Sequence, residues 1–178
     1  MMFEDVIKRR RSVRKYIDKD IDKSIIERII WAGSLAPSAH NRQPWEVLVL
    51  KNNKKDIIEI MREYCDNNNI EDISIVKTAD TIERCNTLLL IYCNNFEQYE
   101  YNLLSMGAMI ENMLLEATNL NIASVLIANV CPMSDEINKY LGVDASTKRL
   151  VGAVALGYSD YEVKELERKK VSEITKYI

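Results

Sequence analysis

The chain has 178 residues, of which 47% are hydrophobic, and its formal net charge at pH 7 is −3. This length and apolar content suit one domain over residues 1–178, and the small net charge argues against nucleic-acid binding by the surface as a whole. Four scattered cysteines and one histidine lack zinc-site spacing, so we expect no metal site. No apolar run approaches the roughly 20 residues that span a bilayer, and the acidic start is unlike a secretory signal. We therefore expect a cytoplasmic protein with reduced thiols that does not bind membranes.

The first predicted elements are two helices and a strand. Residues 3–10 have the spacing of a short helix. Ser24 and Glu27 are typical of a capping box that opens a second helix, which cannot continue past Pro37. The alternating, β-rich stretch 46–51 predicts a strand.

The middle of the chain is predicted to alternate between helix and buried strand. Residues 53–68 have one apolar face and predict a helix, whereas 69–86 show only a weak pattern. The continuous apolar run 88–93 is typical of a central strand. Apolar residues then recur at helical spacing over 101–120, and small residues at Gly107 and Ala108 would let another helix approach closely.

The last third of the chain predicts two strands around a short helix. Residues 122–128 and 150–156 are predicted strands, and 134–141 a helix that ends at Gly142. Residues 159–178, called the tail below, are charged, with Val163, Leu166, Val171 and Ile174 as the few apolar anchors. Helices around about four buried strands indicate an α+β or three-layer fold. A tail with so little apolar content is expected to lie along another surface, such as a partner subunit.

A cluster of cations lies where the first predicted helix ends. Residues 1–16 carry six basic side chains against two acidic ones. Four potential ligands of a phosphate fall within five residues, the basic turn: Arg10, Arg11, Ser12 and Arg14. Arginine offers a planar fork of donors and serine a neutral donor, which together suit phosphate oxygens. Taken alone, the cluster is explained more simply by a solvated charged turn, with a nucleic-acid patch as a further alternative.

The second cluster is the polar loop, Pro37–Trp45. Its hydroxyl and amide side chains, including those of Ser38, Asn41 and Gln43, are unsuited to a buried strand. Asn and Gln each pair a donor with an acceptor, and so can read the edge of a heterocycle with alternating C=O and N–H groups. A connecting loop anchored by Trp45 explains the tryptophan but not the number of amide and hydroxyl groups.

Together the two clusters resemble the N-terminal signatures of the nitroreductase family. The likeness is carried by RRSVRKY at 10–16 and APSAHNRQPWE at 36–46. VGAVALGY at 151–158 is similar to the family's final strand, and the helix predicted over 101–120 to its central dimer helix. The resemblance covers nearly the whole chain. It implies an α+β, three-layer α-β-α sandwich with a mostly antiparallel central sheet, a C-terminal arm and bound FMN.

The resemblance implies which residues hold the FMN phosphate. Arg10, Arg11 and Ser12 would bind it, while Arg14 would lie near the pyrimidine side of the flavin ring. The tail would add one further cation from the segment that resembles the family's late basic segment: Arg168, Lys169 or Lys170.

Residues of two subunits would surround the flavin ring, since the resemblance implies a homodimer with flavin sites at its interface. The polar loop of the other subunit would line the ring with three residues: Pro37, Ser38 and Ala39. Asn41 and Gln43 would support the loop or contact the flavin. Backbone groups at the strand end 126–129, which includes Ile127 and Ala128, would face N5 of the ring. The sequence there lacks the Glu-Gly of some members, so we expect this contact to differ.

The implied activity is an FMN-dependent oxidoreductase with no catalytic side chain, because N5 of the flavin carries the chemistry. No Ser-His-Asp or Cys-His arrangement is evident, and the absence of GxGxxG argues against a separate Rossmann site. NADH or NADPH would stack on the flavin, leave, and be replaced by a small oxidised acceptor in a ping-pong scheme. Nitroaromatics, quinones, enones, flavins and halogenated phenols all remain open as acceptors.

Two other functions account for parts of the sequence. A flavin-binding sensor or carrier would need the same motifs, and an anion- or RNA-binding module would use the basic turn but leave the polar loop unexplained. His40 is either a proton donor or a surface hydrogen-bonding group. Three tyrosines either lie near the pocket or pack in strand and loop: Tyr92, Tyr99 and Tyr101.

Overall fold

A four-stranded antiparallel sheet forms the centre of the computed structural model, which describes residues 2–97, 100–162, 164 and 166–178. The strands of this part of the chain are β1 Trp45–Leu50, β2 Thr87–Asn94, β3 Ala123–Ile127 and β4 Lys148–Gly157. Its α-helices are α1 Phe3–Arg9, α2 Lys23–Ser34, α3 Lys54–Asn67, α4 Ile73–Arg84, α5 Asn102–Asn119, α6 Ser134–Leu141 and α7 Val171–Ile174. Short 3-10 turns occur at Ala39–Asn41 and Cys131–Met133.

The strand order is β1-β2-β4-β3, which places the apolar run predicted as a central strand in the interior of the sheet. Strand β2 pairs with β1 on one side and with β4 on the other, for example Leu90 with Leu48 and with Ala153. A strand that is paired and covered on both sides has no polar face, which explains why its sequence does not alternate.

Helices cover both faces of the sheet, as the resemblance implied. Leu88, Leu90 and Tyr92 belong to a core formed with residues of α3, α4 and α6. Leu89 and Ile91, which alternate with them, belong to a second core formed with α2 and α5. Because successive side chains of a strand point to opposite faces, these two cores establish a three-layer α-β-α sandwich. The predicted fold class is confirmed.

Two local predictions differ from the structure. The weakly patterned stretch 69–86 contains α4. Asp72 caps the N-terminus of this helix, because its carboxylate accepts a hydrogen bond from the backbone N–H of Ser74. The buried face of α4 consists of only a few well-spaced apolar residues among polar ones, which hides its period. The capping box predicted at Ser24 and Glu27 is wrong, because α2 begins at Lys23 and Asp22 is the N-cap residue, without a side-chain cap bond.

The tail lies on the surface of this chain. Leu166, Val171 and Ile174, predicted as anchors, are all more than half exposed, and Val163 lies outside the described residues. Of the tail, α7 is the one helix in the part that the structure describes, and it has four residues. No core of the single chain therefore holds the described tail.

Candidate functional site

The basic turn lies along the outer edge of β3. Ser12 forms a parallel bridge with Ser124, and the backbone N–H of Val13 donates to the Ser124 carbonyl at 3.0 Å. Val13 is buried, so its side chain anchors the turn while Ser12 and Arg14 on either side are exposed. This alternation is that of an extended strand. The fold thus holds the candidate phosphate ligands in a fixed register beside the sheet.

Arg10 is oriented by the central helix. Its Nε lies 3.3 Å from Oε1 of Glu111 on α5, and its side chain is only 21% exposed. The guanidinium of Arg10 has further donors beyond Nε, which can meet a second anion. On the other side of the bridge, Arg14 donates from Nη1 to the Ser12 carbonyl at 3.2 Å. Arg10, Ser12 and Arg14 thus form a row of donors on this edge.

Arg11 has a different environment from the other members of the basic turn. Its Nη1 donates to the carbonyls of Lys8 and Arg10 at 2.6 and 2.7 Å, and its Nε donates to the carbonyl of Lys164 at 3.2 Å. Three of the five N–H donors of the Arg11 guanidinium thus go to backbone carbonyls, which leaves it fewer donors for a phosphate.

The polar loop has a backbone that L-residues rarely adopt. His40, Asn41 and Gln43 all have positive φ, at 53°, 54° and 47°. The loop is held in this shape by internal bonds: the N–H of Gln43 donates to Oγ of Ser38 at 3.0 Å, and that of Asn41 to the Ser38 carbonyl at 2.9 Å. Three left-handed non-glycine residues within four positions represent stored strain, which is typical of binding sites. His40, Asn41 and Gln43 are all exposed residues.

The two motifs contact the region of α5 ten residues apart. Arg42 of the polar loop donates from Nη1 to the hydroxyl of Tyr101, directly before α5, whereas Arg10 pairs with Glu111 in the middle of that helix. Ten residues of α-helix correspond to about 15 Å. A single site built from both motifs therefore requires either a large ligand or a second copy of the chain.

The end of β3 lies beyond the basic turn on the same edge. From Ser124, which bridges Ser12, to Ile127 is three strand residues, or about 10 Å. Ile127 is the last residue paired with β4, and Ala128 after it is exposed. Asn129 then donates from Nδ2 to Oγ of Ser74 and Oγ1 of Thr78 at 3.2 and 3.1 Å, which ties this strand end to α4. The sequence analysis missed this role of Asn129, because α4 itself was not predicted.

The tail cations remain exposed. Arg168, Lys169 and Lys170 are all exposed, and the N–H of Lys170 donates to Oε2 of Glu173 at 2.7 Å. Among the described residues, no hydrogen bond or ion pair joins these three cations to the basic turn.

Other candidate groups are structural. Tyr92 is buried, donates to Oδ1 of Asn138 at 2.8 Å, and has its pKa raised to about 12 by that burial. Burial likewise raises the pKa of the Cys85 thiol to about 11 and that of Cys93 above its usual value. These groups are protonated at neutral pH and do not act as nucleophiles there. Tyr99 lies outside the described residues.

The sequence model of the nitroreductase family matches residues 7–158, which include the basic turn, the polar loop and all four strands. The chain belongs to the nitroreductase family. The resemblance drawn from the two motifs is confirmed, and the chain is an oxidoreductase by family.

Relatives of this nitroreductase-family chain differ in their named activities. An Archaeoglobus fulgidus protein, provisionally named an NADH dehydrogenase/NAD(P)H nitroreductase, is 30% identical over 157 residues, 84% of this chain and 80% of that protein. An iodotyrosine dehalogenase 1 homolog of Caenorhabditis elegans is 24% identical over 98% of this chain and 61% of that protein. The solved Bacteroides fragilis nitroreductase with bound FMN has a TM-score of 0.82 and 25% identity, and the match covers 100% of both chains.

The described part of the chain contains neither a candidate metal site nor a candidate membrane-spanning helix. No group of three or more His, Cys, Asp or Glu side chains there could hold a metal ion. Within the same residues, no helix has both the length and the apolar character needed to cross a bilayer.

Proposed function

We propose that this chain binds FMN and passes hydride from NADH or NADPH to a small oxidised acceptor, such as a nitroaromatic or quinone, in a ping-pong scheme. Family membership supports the flavin chemistry, since the Bacteroides fragilis relative is named for bound FMN and the Archaeoglobus fulgidus relative for NADH and NAD(P)H. The acceptor class stays wide, because the Caenorhabditis elegans relative is named as a dehalogenase.

The observation that carries the proposal is the bridge between Ser12 and Ser124. It aligns the basic turn parallel to β3, with Ser12 about 13 Å before the exposed end of the strand at Ala128. In FMN the ribityl chain likewise places the phosphate some distance from the flavin ring. Arg14, two residues beyond Ser12, is displaced about 7 Å toward that strand end, as a cation beside the ring requires.

Each set of residues has a separate task in this proposal. Arg10 and Ser12 would bind the phosphate, with Glu111 holding Arg10 in place. The cation of Arg14 would favour the reduced flavin, because reduction leaves negative charge on the pyrimidine side of the ring. Backbone groups at Ile127 and Ala128 would orient the ring at N5. Bound FMN would supply the two-electron chemistry itself.

A second copy of the chain would complete the site with its polar loop, giving a homodimer. One side of α5 is available for such a contact: Leu103 is 43% and Leu104 80% exposed, and a Cβ added to Gly107 would meet no atom within 4 Å. Trp31 of the neighbouring α2 and Leu35 directly after that helix are also exposed. Glycine within a helix costs about 1 kcal/mol relative to alanine, and close approach of a partner helix is a physical reason to retain it. The tail beyond its three cations would then lie along the partner. The four free thiols fit a cytoplasmic enzyme.

The first test is the absorption spectrum of the purified protein, with mass identification of any molecule released on heating. About one FMN per chain supports the proposal, and a colourless protein that takes up no added FMN contradicts it. Stopped-flow mixing with NADH or NADPH then separates an enzyme from a flavin carrier, because bound flavin in a carrier would stay oxidised.

A further inference from the structure

The start of the tail follows the N-terminal segment in the opposite direction. The N–H of Ile17 donates to the carbonyl of Tyr158 at 2.9 Å, and Nζ of Lys15 lies 5.4 Å from the centre of the Tyr161 ring. Nε of Arg11 then donates to the carbonyl of Lys164 at 3.2 Å. Contacts at Tyr158, Tyr161 and Lys164 thus meet positions progressively closer to the N-terminus. The segment that carries the basic turn guides the tail across the phosphate site.

Arg11 makes the last of these contacts. Its guanidinium also donates to the carbonyls of Lys8 and Arg10, which fixes the direction of its fork. Since Arg presents its donors in a rigid plane, two bonds within the N-terminal segment determine where the third acceptor must lie. From Lys164 to Arg168 is four residues, which span at most about 14 Å of extended chain. A bond at Lys164 therefore limits how far the three tail cations can move from the basic turn.

We propose that Arg11 is a positioning residue for FMN and not a ligand of its phosphate. It clamps the tail at Lys164 and so holds the basic run Arg168–Lys170 within reach of the phosphate on Arg10 and Ser12. The clamp raises the effective concentration of the tail cations at the phosphate without contacting it. The role of Arg11 in FMN binding rests on the proposed function, whereas the contact between Arg11 and the tail is independent of it.

A thermodynamic cycle tests the indirect role. FMN is titrated into the full-length flavin-free protein, and its dissociation constant is measured by flavin fluorescence for four forms: wild type, Arg11→Gln, the triple variant Arg168→Gln/Lys169→Gln/Lys170→Gln, and all four changes together. We expect Arg11→Gln to weaken FMN about tenfold, which corresponds to 1.4 kcal/mol. In the triple variant the same change should weaken FMN less than about twofold, since the tail cations are already neutral. An equal factor in both backgrounds, or no effect in the wild type, overturns the proposal.

Proteolysis tests the clamp without flavin. A glutamate-specific protease can cut the tail after Glu162, Glu165, Glu167 and Glu173, and Arg11→Gln alters none of these sites. Loss of the Arg11 bond should speed these cuts several-fold, as followed by mass spectrometry. The matched control is Arg149→Gln, which removes an exposed arginine that lies over the Phe96 ring instead of the tail. An unchanged rate in Arg11→Gln refutes the clamp. Failure of the wild type to bind FMN, with faster cutting in Arg11→Gln, refutes the proposed function alone.

Discussion

The Cβ atom that Gly33 lacks would lie 2.5 Å from Cγ of Met113, at the contact between α2 and α5. Gly33 and Met113 are both buried, so neither helix can move without disturbing the core on this face of the sheet. We expect Gly33→Ala to lower the free energy of unfolding by about 1–3 kcal/mol through overpacking, as measured by urea denaturation. In a Met113→Ala background the same substitution should cost less, because the 2.5 Å contact is gone, although Cγ of Met109 would still lie 3.2 Å from the added Cβ. A full cost in that background would show that the strain arises elsewhere.

The free energy of unfolding should decrease as the pH rises above about 9, because of the thiol of Cys85. Burial raises the pKa of its thiol to about 11, although the nearby Lys54 ammonium acts in the opposite direction. In the unfolded chain the thiol ionises near its usual pKa of about 9. Above that pH the unfolded state binds fewer protons than the native state, so the free energy of unfolding decreases until about pH 11. The full loss is up to roughly 3 kcal/mol.

Comparison with Cys85→Ala isolates this effect from the buried tyrosines, which also ionise at high pH. Urea denaturation between pH 8 and 11 should give a shallower decline for the variant than for the wild type. Parallel slopes would mean that Cys85 ionises equally easily in both states.

Riboflavin separates the phosphate contacts from the ring contacts. Because Ser12→Ala and Arg10→Ala remove groups assigned to the phosphate, each should weaken FMN by about tenfold and leave riboflavin binding within about twofold. Calorimetric titration of the flavin-free protein with both ligands provides the measurement. A similar loss for riboflavin would place these side chains at the ring, or would reveal a general disturbance of the edge of β3.

A charge on the exposed side of α5 should prevent dimer formation. Leu104→Lys places a cation on a side chain that is 80% exposed in the single chain, so we expect it to fold normally and yet to sediment as a monomer that retains little FMN. Ile73→Lys is the matched control, since Ile73 is also largely exposed but lies on α4 in the opposite helical layer. A dimer that persists in Leu104→Lys would exclude this side of α5 as the interface.

The sequence predicted correctly whether a segment is a helix or a strand wherever its local pattern of apolar residues and glycine was strong. The buried strand β2 was predicted because a short continuous apolar run is typical of a strand covered on both faces. The end of α6 was predicted because a glycine such as Gly142, whose φ is 66°, commonly terminates a helix. Helix α4 was missed since its buried residues are few and its N-cap, Asp72, is followed by no capping box. The predicted box at Ser24 failed because Asp22, two residues earlier, already opens the helix.

The sequence by itself determined the two motifs, since they depend on residue types at short spacing, and their resemblance implied the family and the layer order. Tertiary structure alone decided that Ser12 bridges Ser124, that Arg10 pairs with Glu111, and that Arg11 donates to the carbonyl of Lys164. Those partners are about 100 or more residues away in the chain. Identical guanidinium groups at neighbouring positions offer no local signal, so only the packed chain shows that Arg10 pairs with a carboxylate while Arg11 donates to backbone carbonyls.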